Sequence, residues 1–327
     1  MAERLVQRAS DLAALSVFAD CFGADLYPLA QALTPIHADV GDTLMTQGDA
    51  ADFFLIIHTG RVEVMHDSDG TSFVTDVGPG RIVGEIALLR HSPRTATVSA
   101  IEELDGWIGG DEAFDELIEL PGVLAMLIRT ARQRLAAFIT PIRMKLADGT
   151  RLLLRPVLPG DSERTTNGPV EFSSETLYRR FQSPRVPTEG LMRYLFEVDY
   201  VDHFVWVVTT ESGDVVADAR YVRDERDRST AEIAFTVGDD YQGRGIGKYL
   251  MGALAIAARV AGVKTFSGRV LSNNMAMRSI FNKAGARWEL EDLGIVTTVV
   301  DVPTALPFGS KTEKRIEDVA RQMIRAL

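Results

Sequence analysis

The chain has 327 residues, 46% of them hydrophobic and 25% charged, with a formal net charge of −11 and an isoelectric point near 5.0. That length suits about two domains, and that composition suits ordinary globular ones. The acidic balance argues against general nucleic-acid affinity, which needs a basic face, and the lone cysteine, Cys21, excludes an intramolecular disulfide or a cysteine-rich metal site.

The first residues, MAERLVQRASDLAAL, are amphipathic and charged throughout, unlike a secretory signal. Residues 5–33 carry Leu5, Leu12, Leu15, Phe18, Phe22, Leu26, Leu29 and Leu33 at helical spacing, which predicts a helical lead-in. From Ile36 to about Ile108, short apolar runs are cut by Gly41-Asp42, Gly48-Asp49, Thr59-Gly60, Asp69-Gly70 and Pro79-Gly80, the spacing of a small all-β barrel or sandwich. Residues 111–146 read as helix, with a stripe of Leu117, Leu120, Leu124, Leu127 and Leu135.

Ala147-Asp148-Gly149-Thr150 is the expected join between domains, before the β run RLLLRPV. Helical patterns follow near 161–182, then strands near 204–209, 214–223 and 230–237 and a helix from 244. A strand near 264–270, a helix near 275–284 and two strands ending near 301 complete an α/β unit, and 311–327 is an amphipathic helix. The expected boundaries are 1–147, 148–302 and a tail 303–327. The most apolar helical stretch, 249–263, is interrupted by Arg259 and is too short for about 30 Å of hydrocarbon, so a soluble cytoplasmic protein with no membrane partner is expected.

Residues 84–98, GEIALLRHSPRTATV, combine a glycine, an acid and an arginine in the order a cyclic nucleotide needs. Gly84 permits close backbone approach, Ile86 and Ala87 can start a short helix whose N–H groups face a phosphate, Glu85 can accept from a ribose hydroxyl, and Arg94 can clamp the phosphate. This stretch resembles the phosphate-binding cassette of the cyclic-nucleotide-binding domain family, and GDTLMTQGDAADFFLIIHTGRVEV (41–64) resembles that family's β-roll. In that family a threonine after the arginine, here Thr95, can favour guanine. His58, His66 and His91 lack metal-ligand spacing and read as surface or turn residues; no metal is expected.

Residues 242–247, Gln242-Gly243-Arg244-Gly245-Ile246-Gly247, follow a strand and open a helix, the context of an anion site. No opening βαβ unit precedes them, so a dinucleotide fold is not expected. The loop resembles the pyrophosphate loop of the GNAT acetyltransferases. LRPVLPGD (154–161), AEIAFTV (231–237) and NMAMRSIFNKAGA (274–286) resemble that family's first strand, fourth strand and cofactor-side helix. The resemblance implies a mixed, largely antiparallel sheet and acetyl-CoA held by 242–247, an N–H near Val237, Asn274 and Phe281. Two departures stand out: Phe281 replaces the tyrosine that often protonates the thiolate, and Ala286 replaces an aromatic.

Strand alternation sets Glu232, Ala234 and Thr236 on one face and Ile233, Phe235 and Val237 on the other. Glu232 is the candidate general base, since a lysine of pKa near 10.4 is only about 0.04% neutral at pH 7. Cys21 lies outside both motif regions and is not expected to be a nucleophile.

The order of the two domains resembles the cyclic-AMP-regulated protein lysine acetyltransferases. That resemblance implies cAMP rather than cGMP as allosteric ligand, direct acetyl transfer to a lysine ε-amine, and acyl-CoA or acetyl-CoA synthetases as protein substrates. A small-amine acetyltransferase and a non-catalytic sensor of acyl-CoA and cyclic nucleotide are the alternatives. A DNA-binding regulator fits poorly with the charge. The polar 160–190 segment, with Pro169, Pro184 and Pro187, is long enough to act as a lid over the acceptor site.

Overall fold

The computed structural model describes residues 2–68, 71–183, 185, 187–196 and 198–326; the expected Asp69-Gly70 turn and Pro184 lie outside the described residues. The chain divides into two compact units, 1–134 and 135–326.

The first unit begins with α1 (Ala2–Ala13) and α2 (Tyr27–Ala32), where the expected lead-in is broken by two 3-10 turns. Six strands follow: β1 (Thr34–Ala38), β2 (Thr43–Met45), β3 (Phe54–Thr59), β4 (Val62–Ser68), β5 (Thr71–Val77) and β6 (Ile82–Val83). After the short α3 (Glu85–Arg90) come β7 (Thr97–Ala100), β8 (Leu104–Gly109), α4 (Asp111–Glu119) and most of α5 (Val123–Ala137). The strands form two four-stranded sheets, ordered β1-β8-β3-β6 and β2-β7-β4-β5.

β3 explains its own apolar run. Phe54 and Ile56 join a core with α1, α2 and α4, whereas Leu55 and Ile57 join a second core with Val62, Val64 and Val98, so the strand is buried on both faces. At Gly60, with φ of 80°, a Cβ would lie 2.2 Å from Glu103 O, so the turn after β3 admits only glycine.

The expected continuous helix over 111–146 is corrected in two places. Pro121-Gly122 separates α4 from α5, and Ile142–Lys145 is a strand, β9, paired antiparallel with β10 (Arg151–Pro156). The 147–150 turn is therefore the hairpin between β9 and β10, inside the second unit.

That unit continues with α6 (Asp161–Asn167), α7 (Ser174–Phe181) and α8 (Glu189–Phe196), the last not anticipated from sequence. Then come β11 (His203–Thr209), β12 (Val215–Arg223), β13 (Thr230–Val237), α9 (Ile246–Ala261), β14 (Thr265–Leu271), α10 (Met275–Asn282), β15 (Glu289–Asp292), β16 (Ile295–Asp301) and α11 (Ser310–Ile324). One eight-stranded sheet runs β15-β16-β14-β13-β12-β11-β10-β9. Every neighbouring pair is antiparallel except β13 and β14, which are parallel.

Trp206 of β11 donates its indole N–H to Ala253 O at 3.1 Å, fixing α9 on one face of this sheet. α9 is buried continuously from Leu250 to Ala258, packed on one side by the sheet and on the other by α11. At Gly252 a Cβ would lie 2.5 Å from Pro307, so the chain after β16 closes tightly over α9. Asp218 and Arg220, paired in register with Thr236 and Ala234, point to the opposite face, where α6, α7 and α8 lie. Buried Asp161 anchors α6: it accepts from Arg155 at 2.6 and 2.8 Å and from the Leu158 N–H at 2.7 Å.

Candidate functional site

In the first unit the cassette is built around Gly84, the left-handed residue (φ 89°) that starts α3. A Cβ there would lie 2.8 Å from Met45 Cε and 2.9 Å from Arg94 Nη1, so the guanidinium comes close only because the position is glycine. Glu85, Ile86 and Ala87 are buried, as is Arg94. The guanidinium stacks on Phe53 at 4.6 Å, donates to Gly84 O at 3.2 Å and stands 3.6 Å from Asp52. Burial lowers the Arg94 pKa, opposed by Asp52, Asp49 and Glu85.

Glu85 accepts at Oε1 from Arg134 Nη1 at 2.7 Å. Burial raises its pKa and Arg134 works against the rise. Among the described residues, Glu85 Oε2 and Arg94 Nη2 are both buried without a hydrogen-bond partner. A buried acceptor and a buried donor held open at one helix start fit a ribose hydroxyl and a phosphate oxygen. Arg134 was missed from sequence. Thr95 is half-buried, and its carbonyl accepts from His66 Nδ1 at 2.5 Å. His66 and His58 prove to be half-buried strand residues, and His91 the left-handed cap of α3.

In the second unit β13 and β14 pair at only three positions, Thr230–Thr265, Ala231–Phe266 and Glu232–Ser267, and then part. The fork opens a cavity of about 750 Å³ lined by Glu232 to Val237, Arg269 and Val270, with Gln242, Gly243, Gly245, Ile246, Gly247 and Asn274 at its end. Gly243 (φ 70°) and Gly245 (φ 90°) turn the chain into α9, whose first N–H groups lack intrahelical acceptors and form the positive end of the helix dipole. Glu232 is exposed and lines this cavity.

Gln242 donates from Nε2 to Val237 O, Thr176 Oγ1 and Asp239 Oδ1 at 2.9–3.1 Å, joining the end of β13 to the start of α7. Asn274 caps α10 by accepting from the Met277 N–H at 3.1 Å. Two expected contributors have side chains elsewhere. Arg244 turns outward to Asp148 and Thr150, and the Thr150 and Arg244 hydrogen bonds pull the Asp148 pKa down to about 2. Phe281 is wholly buried, edge-on to Trp288 at 5.7 Å and filling the space a Gly268 side chain would need.

α7 bridges the fork. At one end Asp239 accepts from the Ser173 N–H at 2.7 Å and from the Thr176 hydroxyl; at the other, Gln182 donates to Arg269 O at 2.7 Å, and Arg269 also pairs with Glu291. Arg180 of α7 lines the cavity, its pKa pushed down to about 10 by burial and then by Arg220, with Asp218 and Glu232 opposing. Burial, then Arg220 and Arg180, push His203 down to about 3, so it is neutral at pH 7. In the first unit, burial, then Asp25 and Asp20, raise the Cys21 pKa and disfavour its thiolate.

Residues 35–120 match the family model of the cyclic nucleotide-binding domain, and residues 151–287 match that of the acetyltransferase (GNAT) domain. The two sites thus define a GNAT acetyltransferase domain preceded by a cyclic nucleotide-binding domain. The whole chain is 56% identical over 331 residues to the acetyltransferase Pat of Mycolicibacterium smegmatis, covering 100% of this chain and 99% of that one, and it belongs to the Pat acetyltransferase family. It is likewise similar to the solved structure of a cAMP-binding acyltransferase from Mycobacterium smegmatis, with 51% identity, a TM-score of 0.53 and coverage of 100% and 99%. A cAMP-dependent protein kinase regulatory subunit of Yarrowia lipolytica is 40% identical over 77 residues, 24% of this chain and 20% of that one. Among the described residues no helix is long and apolar enough to cross a membrane.

Proposed function

We propose that this chain transfers acetyl from acetyl-CoA directly to a lysine ε-amine of a protein, and that cAMP controls the rate. The observation that carries the reading is the fork between β13 and β14, with Glu232 at its last paired position and the start of α9 among the residues that line it. The cytoplasm is the expected compartment, and acyl-CoA or acetyl-CoA synthetases are the expected protein substrates.

Acetyl-CoA supplies an activated acyl group as a thioester. The N–H groups at the start of α9, with Gly243 and Gly245 allowing close approach, hold the pyrophosphate. A β13 N–H near Val237 donates to the thioester oxygen as it gains charge. Glu232, directly or through a water, takes the proton that the lysine must lose. The amine nitrogen bonds to the carbonyl carbon, the C–S bond breaks, and the thiolate is protonated from solvent. Phe281 offers no hydroxyl for that last step, and a thiol of pKa about 8.5 leaves without one.

In the first unit, Glu85 Oε2 accepts from the ribose hydroxyl and Arg94 Nη2 donates to the cyclic phosphate, the two groups left open there. The 160–190 segment supports the lid role: α7 is tied across the fork by Asp239 and Gln182. Nucleotide binding favours the arrangement in which the acceptor reaches Glu232, through its differential affinity for the two states.

The test is transfer of labelled acetyl to an acetyl-CoA synthetase with and without cAMP, for the native chain and for Arg94→Ala. Stimulation that disappears with Arg94→Ala supports transfer and regulation together. Transfer indifferent to cAMP removes the regulatory half. No transfer to protein, with transfer to a free polyamine, replaces the protein substrate with a small amine.

A further inference from the structure

A second cavity, of about 460 Å³, lies beneath α6, α7 and α8 on the Asp218 face of the sheet. Its walls are mostly apolar, with Val170, Phe172, Leu177, Met192 and Phe196, and Thr165, Thr166 and Glu171 also line it. Its floor holds the buried pair of Asp218 and Arg220, where Arg220 donates from Nη2 to Asp218 at 2.5 Å and from Nη1 to Leu195 O. With those donors engaged, the floor has little to offer a charged ligand, and the chamber suits an apolar one.

Phe181, Leu195 and Thr236 line this chamber and the fork cavity alike, so the two spaces share a wall one residue from Val237. Glu232 lines the fork but not the chamber. The acceptor amine must approach the base, so its route is the fork. The chamber is left for the other group that meets at the carbonyl carbon, the tail of the acyl chain.

We propose that this chamber is an acyl pocket, which lets the enzyme take donors longer than acetyl-CoA, with linear chains of roughly four to six carbons for a space many times the about 30 Å³ of one water. This inference rests on acyl transfer at the fork. The chemistry is unchanged by chain length: the lysine nitrogen bonds to the acyl carbon, the C–S bond breaks, Glu232 takes the amine proton and the thiolate is protonated from solvent. Each methylene buried in the chamber improves donor binding by up to about fourfold, against the loss of freedom of the ordered chain.

The experiment compares acetyl-, butyryl- and hexanoyl-CoA as donors to the same protein substrate, with the full chain and saturating cAMP. The pocket predicts kcat/KM for butyryl-CoA within about tenfold of that for acetyl-CoA. Met192→Trp and Leu177→Trp, two independent ways to fill the chamber, should lower butyryl and hexanoyl transfer by roughly tenfold or more while leaving acetyl transfer within about twofold. Folding is checked by thermal melting. Butyryl transfer beyond that tenfold limit in the native chain, or equal losses for short and long donors in a folded variant, overturns the acyl pocket and leaves acetyl transfer standing. No transfer from any donor overturns the acyl-transfer reading, and the pocket with it.

Discussion

Arg134 donates from Nη1 to Glu85 Oε1 at 2.7 Å and to Ile82 O at 2.8 Å, so one guanidinium holds both the cassette's buried acid and the strand before it. Burial raises the pKa of Glu85, and Arg134 is the largest opposing influence. Its contribution is to oppose burial and favour the charged form of the carboxyl.

Removing it has a testable result. In Arg134→Ala the Glu85 pKa rises further, so at pH 7 more of the carboxyl is protonated and accepts poorly from a ribose hydroxyl. Affinity for cAMP should fall roughly tenfold, as for one charge-assisted hydrogen bond, and recover as the pH is raised and the carboxyl ionises. Calorimetric titration at several pH values checks this; a loss that is the same at every pH would count against it.

Glu232→Gln keeps the size of the side chain and removes its basicity. If Glu232 is the base, kcat should fall by about 10²- to 10⁴-fold with little change in the KM for acetyl-CoA. Steady-state kinetics decide it, and an unchanged kcat would remove Glu232 as the base.

Phe281→Tyr restores the residue that the family resemblance leads one to expect, but the ring faces Gly268, where a Cβ would lie 2.2 Å from Phe281 Cζ. The added hydroxyl would press on the β14 backbone rather than reach a thiolate. The variant should gain no turnover and lose about 1–3 kcal/mol of stability as an overpacked core. A higher kcat with unchanged melting would show that the ring can turn into the fork.

Asp161 sets an acid limit. Burial works against its charge, yet Arg155, the Leu158 N–H and Arg164 hold its pKa below the ordinary value. A carboxyl depressed on folding contributes stability that is present above its unfolded pKa, about 3.9, and lost as the pH falls through the folded value. Asp161→Asn should therefore cost about 3–5 kcal/mol at pH 7, by leaving Arg155 buried without its counter-charge, and somewhat less under acid conditions. Denaturant melts at pH 7 and pH 3 measure the difference.

Much of this was legible in the sequence, and particular residues show why the rest was not. Gly84, Glu85 and Arg94 fall within eleven residues, and Gln242 to Gly247 are contiguous, so local order displayed both ligand loops. Arg134 lies 49 residues from Glu85 on a helix whose apolar stripe gave no reason to single it out. β9 is four residues alternating buried and exposed at the end of a helical run, too short for its period to show. The fork depends on where β13 stops pairing with β14, which is a matter of tertiary register. For Phe281 the helix was legible but not the direction of the ring.

The early parting of β13 and β14 also leaves backbone outside the sheet ladder, although Gln242 reaches Val237 O and Gln182 reaches Arg269 O. Among the described residues, the β13 edge facing β14 has no ladder partner beyond Glu232, and neither does the facing edge of β14 beyond Ser267. A pantetheine arm, itself an extended chain with two amides, can enter that gap as a surrogate strand and knit the two halves of the sheet together. The donor would then be part of the architecture while it is bound, and amide exchange at 233–237 and 268–271 would slow on its arrival and quicken again with each departing product.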